Sequence, residues 1–234
     1  MRPLPALILL MLAGCAVAPA PVPVPPVPAV SLDGRPSPQQ AVANFLVVVR
    51  RVEPVAEQTC RAANPALNCD YQIVVDDDLR QPLNAFQTVG RLGRPIIVLT
   101  IGLIAEARNQ DELAFILGHE AAHHVAGHLA RQRASAARGA ELLGSRIAER
   151  GGNAAAIRIA QRAGAELGAL VFSKDFELEA DRIGTVIALR SGFDPVRGAA
   201  YFTLIEDPGN VFLGTHPPNA ARIETVRRTV AELR

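Results

Sequence analysis

The run GHEAAHHVAGH, residues 118–128, holds four of the chain's five histidines. It contains His119-Glu120-Ala121-Ala122-His123, an HExxH pattern. Asn109-Gln110-Asp111 stands just upstream as a capping segment, with Asp111 and Glu112 in the first turn, so the spacing predicts a helix over residues 111–133. Four residues advance a helix by about 400°, which puts His119 and His123 on one face about 40° apart. Two imidazoles one turn apart can hold one zinc ion. Glu120 leans to the side of that ion, where it can take a proton from a zinc-bound water without being a ligand. The competing reading is a surface helix with solvated histidines. A metal centre, unlike a solvated helix, needs a third protein ligand from another segment folded against this one.

His128 is the nearest candidate, and its angle is wrong. It lies nine residues after His119, about 900° of rotation, hence on the opposite side of a continuous helix. His124 is off the metal face by about 140°. A metzincin pattern also fails, because Ala126 and Leu129 stand where it requires a glycine and a third histidine. His124 and His128 are therefore expected to pack or to hydrogen-bond. The better source is SKDFELEADRIG, residues 173–184. Glu177 and Asp181 are one helical turn apart, so one face carries both carboxylates. Glu177 can ligate zinc, and Asp181 can accept the outer N–H of a ligating histidine and fix its tautomer. Glu179 points elsewhere and is expected to be solvated. Without HExxH upstream, this cluster would read as a charged helix face.

The rest of the chain predicts an α+β domain, mainly helical with a small sheet. A helix begins at Pro38 and runs to about residue 58. Residues 71–75 (YQIVV), 83–88 (LNAFQT) and 95–100 (PIIVLT) read as strands, the last two in a hairpin-like arrangement around Gly90 and Gly93. A short helix covers 102–108. Residues 134–171 form a helical hairpin broken at Gly151-Gly152-Asn153, and Lys174–Ser191 is a helix ended by Gly192. Asp194-Pro195 starts another. Residues 204–218 are mostly loop, and 219–233 form a last helix with Ile223, Val226, Val230 and Leu233 on one face. The formal charge of +1 gives no electrostatic case for nucleic acid.

Residues 1–37 stand apart from this domain. Arg2 and the apolar run LPALILLMLAG are too short to span a bilayer and end in Leu12-Ala13-Gly14-Cys15. That ending resembles the lipobox of bacterial lipoproteins. The resemblance implies a signal peptide over 1–14, cleavage before Cys15 and acyl chains on that cysteine, which give stable membrane anchoring. Ala16 rather than aspartate follows, which by the same resemblance implies the outer membrane, with the domain facing the periplasm. Residues 15–37 then form a proline-rich, semi-rigid tether, and the catalytic-size domain spans 38–234. With Cys15 taken by lipid, Cys60 and Cys69 remain, and in an oxidising compartment they are expected to pair.

Five features in order carry a family resemblance. They are Asn84-Ala85-Phe86 before a strand, Asp111-Glu112-Leu113 leading into HExxH, the ELEAD segment with Gly184 after it, Gly192-Phe193-Asp194-Pro195, and Thr215-His216-Pro217-Pro218 with Arg222 beyond. Over roughly residues 70–230 the chain resembles the HtpX-like and BepA-like zinc metallopeptidases, gluzincins that include the CAAX prenyl endoprotease. The resemblance implies a zincin-like fold and one Zn2+ held by His119, His123 and Glu177. It makes Glu120 the general base and Asp181 the group that orients a ligand histidine. His216 and Arg222 would approach the scissile carbonyl and stabilise its oxyanion. His216 would also be able to cover the open position of the metal, although from the residues alone it reads equally as part of a proline loop. Asn84 would hydrogen-bond the substrate backbone. The implied substrates are misfolded or stalled envelope proteins. The rival expectation is a chaperone-like assembly factor with little proteolysis.

Overall fold

The computed structural model describes residues 34–171, 173–209, 211 and 216–234. The expected signal peptide, Cys15, nearly all of the tether and Thr215 lie outside the described residues.

Pro38 starts α1 (Pro38–Ala63), where its missing N–H costs nothing, and the Ser37 side chain accepts from the Gln40 amide at 3.2 Å. This helix runs about one turn past the expected end and carries Pro54 inside it. Cys60 in its last turn is joined by a disulfide to Cys69, with the two Cα atoms 5.8 Å apart. Both sulfurs are buried at the edge of the main core with Val48, Val52 and Tyr71.

Three short strands form one sheet: β1 (Gln72–Asp76), β2 (Ala85–Val89) and β3 (Pro95–Thr100), in the order β1-β3-β2. β1 runs parallel to β3, and β2 pairs with β3 as an antiparallel hairpin. Among the described residues, β2 therefore has an edge with no strand beside it. Bonds from Thr100 N–H to the Asn84 carbonyl and from Gly90 N–H to the Arg94 carbonyl fix the ladder phase. The backbone groups of Ala85, Gln87 and Val89 consequently point to the free edge.

β3 leads directly into α2 (Ile101–Glu106) and then α3 (Gln110–Val125). Asn109 caps α3 by accepting from the Glu112 amide at 3.1 Å. Glu112 reaches back to the Arg108 amide at 2.8 Å and to the Asn109 amide group at 3.2 Å. Nearly every residue of α3 from Glu112 to Val125 is buried, so it is the central helix of the fold. α1 packs on one side of it, α6 (Ser173–Arg190) on another, and β2 lies alongside.

The expected single helix over 111–133 is two helices. α3 stops at Ala126, and Gly127 adopts a left-handed conformation (φ 65°) before α4 (His128–Glu149) begins. A glycine there relieves the steric cost that ends a helix in this way. α4 and α5 (Ala154–Leu170) form the expected hairpin around Gly151-Gly152-Asn153, packed mainly on each other. α7 (Pro195–Gly198) is a single turn capped by Asp194, and α8 (Asn219–Glu232) closes the domain against α6. Among the described residues no helix is long and apolar enough to cross a membrane.

Candidate metal centre

α3 and α6 cross at two glycines. A Cβ on Gly184 would stand 2.7 Å from the His119 backbone nitrogen, and one on Gly118 would stand 2.9 Å from the Gly184 carbonyl oxygen. This close approach lets Glu177, almost two turns before Gly184, reach the exposed side of the His119–His123 pair.

The three side chains converge. The Nε2 atoms of His119 and His123 are 3.1 Å apart, and the Glu177 carboxylate lies 3.4 Å from each: Oε2 from His119 and Oε1 from His123. Ligand atoms at about 2.0–2.1 Å from one tetrahedral ion stand about 3.3–3.4 Å from each other. The spacing and the two-nitrogen, one-oxygen donor set therefore fit zinc. These three residues form a cluster whose donor atoms all lie within 4.8 Å of one another.

Asp181 supports the first ligand from behind. Its Oδ1 is 2.9 Å from His119 Nδ1, so a His119 Nδ1–H donates to the carboxylate and Nε2 is left to face the metal position. Asp181 is fully buried, and Arg222 matches its charge with two hydrogen bonds, 2.8 and 2.7 Å. The Arg222 guanidinium also lies 4.0 Å over the Phe202 ring and 3.5 Å from Glu177 Oε2. Arg222 thus touches both Asp181 and the ligands themselves, with its Nη2 also 3.3 Å from His119 Nε2, and only 7% of the residue is exposed.

His128 and Glu179 depart from their expected surroundings. Because the chain breaks at Gly127, His128 folds back beside α3, with its Nδ1 2.9 Å from His123 Nδ1. Its role as a hydrogen-bonding residue stands, but the opposite-side placement does not. Glu179 is not simply solvated: its Oε2 is 3.2 Å from His128 Nε2 and accepts from Arg131 at 2.7 Å. The signal available in the sequence was Gly127 itself, a helix-ending glycine between two histidines. His124, as expected, lies away from the metal face, with its Nε2 2.8 Å from the Asn68 carbonyl oxygen.

The charges show what the site prefers. Burial and the nearby Arg222 push the His119 pKa down, but hydrogen bonds to Asp181 and Glu177 outweigh them and carry it to about 10. Burial, aided by the His119 charge, drives His123 down to about 3. Burial raises Glu177, yet its bonds to His119 and His216 prevail and hold it well below the usual carboxylate range. Both directions favour positive charge between His119 and Glu177, where a cation would bind.

Glu120 is 9% exposed, and burial pushes its carboxyl above the ordinary value, while the His119 charge and the Gln87 backbone N–H act the other way. It lies between the metal ligands and the free edge of β2. His216 is exposed, and its Nδ1 is 3.2 Å from Glu177 Oε2. Asn84 is exposed at the start of β2, with its backbone held by Thr100. A cleft of about 600 Å³ runs past Asn84, Glu120, the three ligands, His216 and Arg222. Leu83, Phe86, Leu103, Ile116 and Leu129 give it apolar walls.

A mainly helical α+β domain with two histidines and a glutamate converging beside a buried carboxylate defines the class of HExxH metallopeptidases. The model of Peptidase family M48 matches residues 47–230, most of the chain, and the protein belongs to that family of zinc metallopeptidases. It is 31% identical over 152 residues to the beta-barrel assembly-enhancing protease of Escherichia coli K12, covering 59% of this chain and 31% of that protein. The protein of the same name from Yersinia pestis is 30% identical over 151 residues, with the same coverage. A putative beta-barrel assembly-enhancing protease of Vibrio cholerae is 31% identical over 176 residues, covering 72% of this chain and 35% of that protein. The chain thus spans about a third of the length of these curated relatives.

Proposed function

We propose that this chain is a zinc-dependent endopeptidase that cleaves misfolded or stalled cell-envelope proteins, held at the periplasmic face of the outer membrane by lipid on Cys15. The observation that carries the enzymatic part is the tetrahedral spacing of His119, His123 and Glu177 with Glu120 beside them. The named role of the relatives in β-barrel assembly supports envelope proteins as substrates. The Leu12-Ala13-Gly14-Cys15 sequence supports the anchor.

Zinc bound here supplies a Lewis acid and acidifies a water molecule. The chain's own residues do the rest. An extended substrate adds to the free edge of β2, where outward-pointing backbone groups of Ala85 and Val89 pair with it and Asn84 holds its main chain. The apolar walls take its side chains and exclude water. Glu120, its pKa raised by burial, takes the proton of the attacking water and delivers it to the departing amine nitrogen. Asp181, clamped by Arg222, holds the His119 ring in its ligating tautomer. His216 stands at the mouth of the cleft, its Nδ1 3.2 Å from Glu177. From there it would be in reach of the scissile carbonyl of a bound substrate and would help to stabilise its oxyanion.

The test is incubation of the lipid-free chain with unfolded outer-membrane proteins, with and without chelator, and identification of products by mass spectrometry. Chelator-sensitive internal cuts support the reading. Intact substrates, with both the parent and His216→Ala, would leave assembly assistance without proteolysis. Labelled palmitate incorporated at Cys15, and lost in Cys15→Ala, tests the anchor.

A further inference from the structure

Resting on the zinc site proposed above, we infer that His128, Glu179 and Arg131 form a proton-ordering relay that fixes the tautomer of His123 and aims its Nε2 at the metal. The two ligand histidines are otherwise unequal. His119 has the buried Asp181 carboxylate behind it, a group that only accepts. Behind His123 stands another imidazole, His128, with Nδ1 facing Nδ1 at 2.9 Å. Two ring nitrogens at that distance share one proton, and nothing in the pair itself decides which ring carries it.

The decision comes from further out. Arg131 donates to Glu179 Oε2 at 2.7 Å and keeps that carboxylate an acceptor. Glu179 Oε2 faces His128 Nε2 at 3.2 Å, so His128 carries its proton on Nε2. With its proton turned to Glu179, His128 presents the Nδ1 lone pair to His123. His123 must donate from its own Nδ1, which leaves its Nε2 free to ligate. Each proton in the row follows from the one behind it, starting at the guanidinium.

The packing holds the row in place. His128 is 4% exposed and stacks on Phe176, ring centroids 4.5 Å apart and planes 12° apart. Arg131 covers the same ring at 4.4 Å. The left-handed turn at Gly127 is what returns His128 to the back of His123. These residues are positioning residues and touch no reacting atom.

The test is zinc affinity, measured by competition with a chromophoric chelator, together with ring-nitrogen NMR of the zinc-loaded protein. His128→Leu should weaken zinc binding about ten- to a hundredfold, while His128→Asn, which keeps an acceptor near the Nδ1 position, recovers much of the loss. Glu179→Gln, a partly exposed change, should weaken binding in the same direction and serves if His128→Leu does not fold. In the parent, the NMR should place the proton of His123 on Nδ1 and that of His128 on Nε2. A parent that binds zinc with the His128 proton on Nδ1, or with affinity unmoved in both His128→Leu and Glu179→Gln, overturns the relay and leaves the metal site standing. A parent that binds no zinc overturns both.

Discussion

Gly184 lies so close to His119 that a Cβ on it would meet the His119 backbone nitrogen at 2.7 Å and its Cα at 2.9 Å. This contact sets the distance between α3 and α6, and so decides whether Glu177 reaches the histidine pair. Gly184→Ala should force the helices apart. It should lower stability by about 1–3 kcal/mol, as overpacking does, and weaken zinc binding more than an alanine elsewhere on α6. Thermal melts of the metal-free protein and a chelator competition measure the two effects separately.

Glu120→Gln should reduce turnover by about 10²–10⁴-fold, the usual worth of a general base, with zinc still bound at one ion per chain. Metal analysis alongside peptide cleavage checks both parts.

The pH dependence follows from the direction in which burial moves Glu120. The base must be ionised to act, and its pKa is raised, so activity should fall on acidification at a pH above the ordinary glutamate value of about 4.3. A pH profile of kcat/KM that stays flat down to that value would contradict the role.

Zinc uptake should release a proton. Metal-free His119 has a pKa carried to about 10 and is charged at neutral pH, and it must lose that proton to become a ligand. Calorimetric titration at pH 7 in buffers of different ionisation enthalpy should show release of about one proton per zinc. Asp181 gives the matching stability effect. Burial pushes its carboxyl up, but bonds from Arg222 and His119 prevail and hold it below the usual range. Its contribution is therefore complete above the ordinary aspartate value of about 3.9 and is lost as pH falls through the lower folded value. Arg222→Ala strands this buried carboxylate and should cost about 3–5 kcal/mol, read by denaturant unfolding near pH 7.

The Cys60–Cys69 bridge closes a loop whose Asn68 carbonyl faces His124, beside the ligand His123. Replacing both cysteines by alanine should cost about 2–3 kcal/mol by the loop-closure estimate for about ten residues. Thermal unfolding of the oxidised parent and the double variant measures it.

The candidate site was legible in its residues more than in its surroundings. The HExxH period and the Glu177–Asp181 period are local facts of helix geometry, and they name the donors without any knowledge of packing. The mixed sheet was legible only as three strands, because the parallel pairing of β1 with β3 depends on a crossover that no short window reveals. His128 was placed on the wrong side because a periodic argument assumes an unbroken helix, and Gly127 breaks it. The hold of Arg222 on Asp181 was not among the expectations, because this contact between α8 and α6 depends on tertiary packing alone.

The most direct measurement is a crystal structure of the zinc-loaded chain with anomalous data at the zinc edge. The account predicts one zinc peak about 2.0–2.1 Å from His119 Nε2, His123 Nε2 and a Glu177 carboxylate oxygen. A zinc peak away from this triad, or a Glu177 side chain turned out of reach of it, would contradict the account.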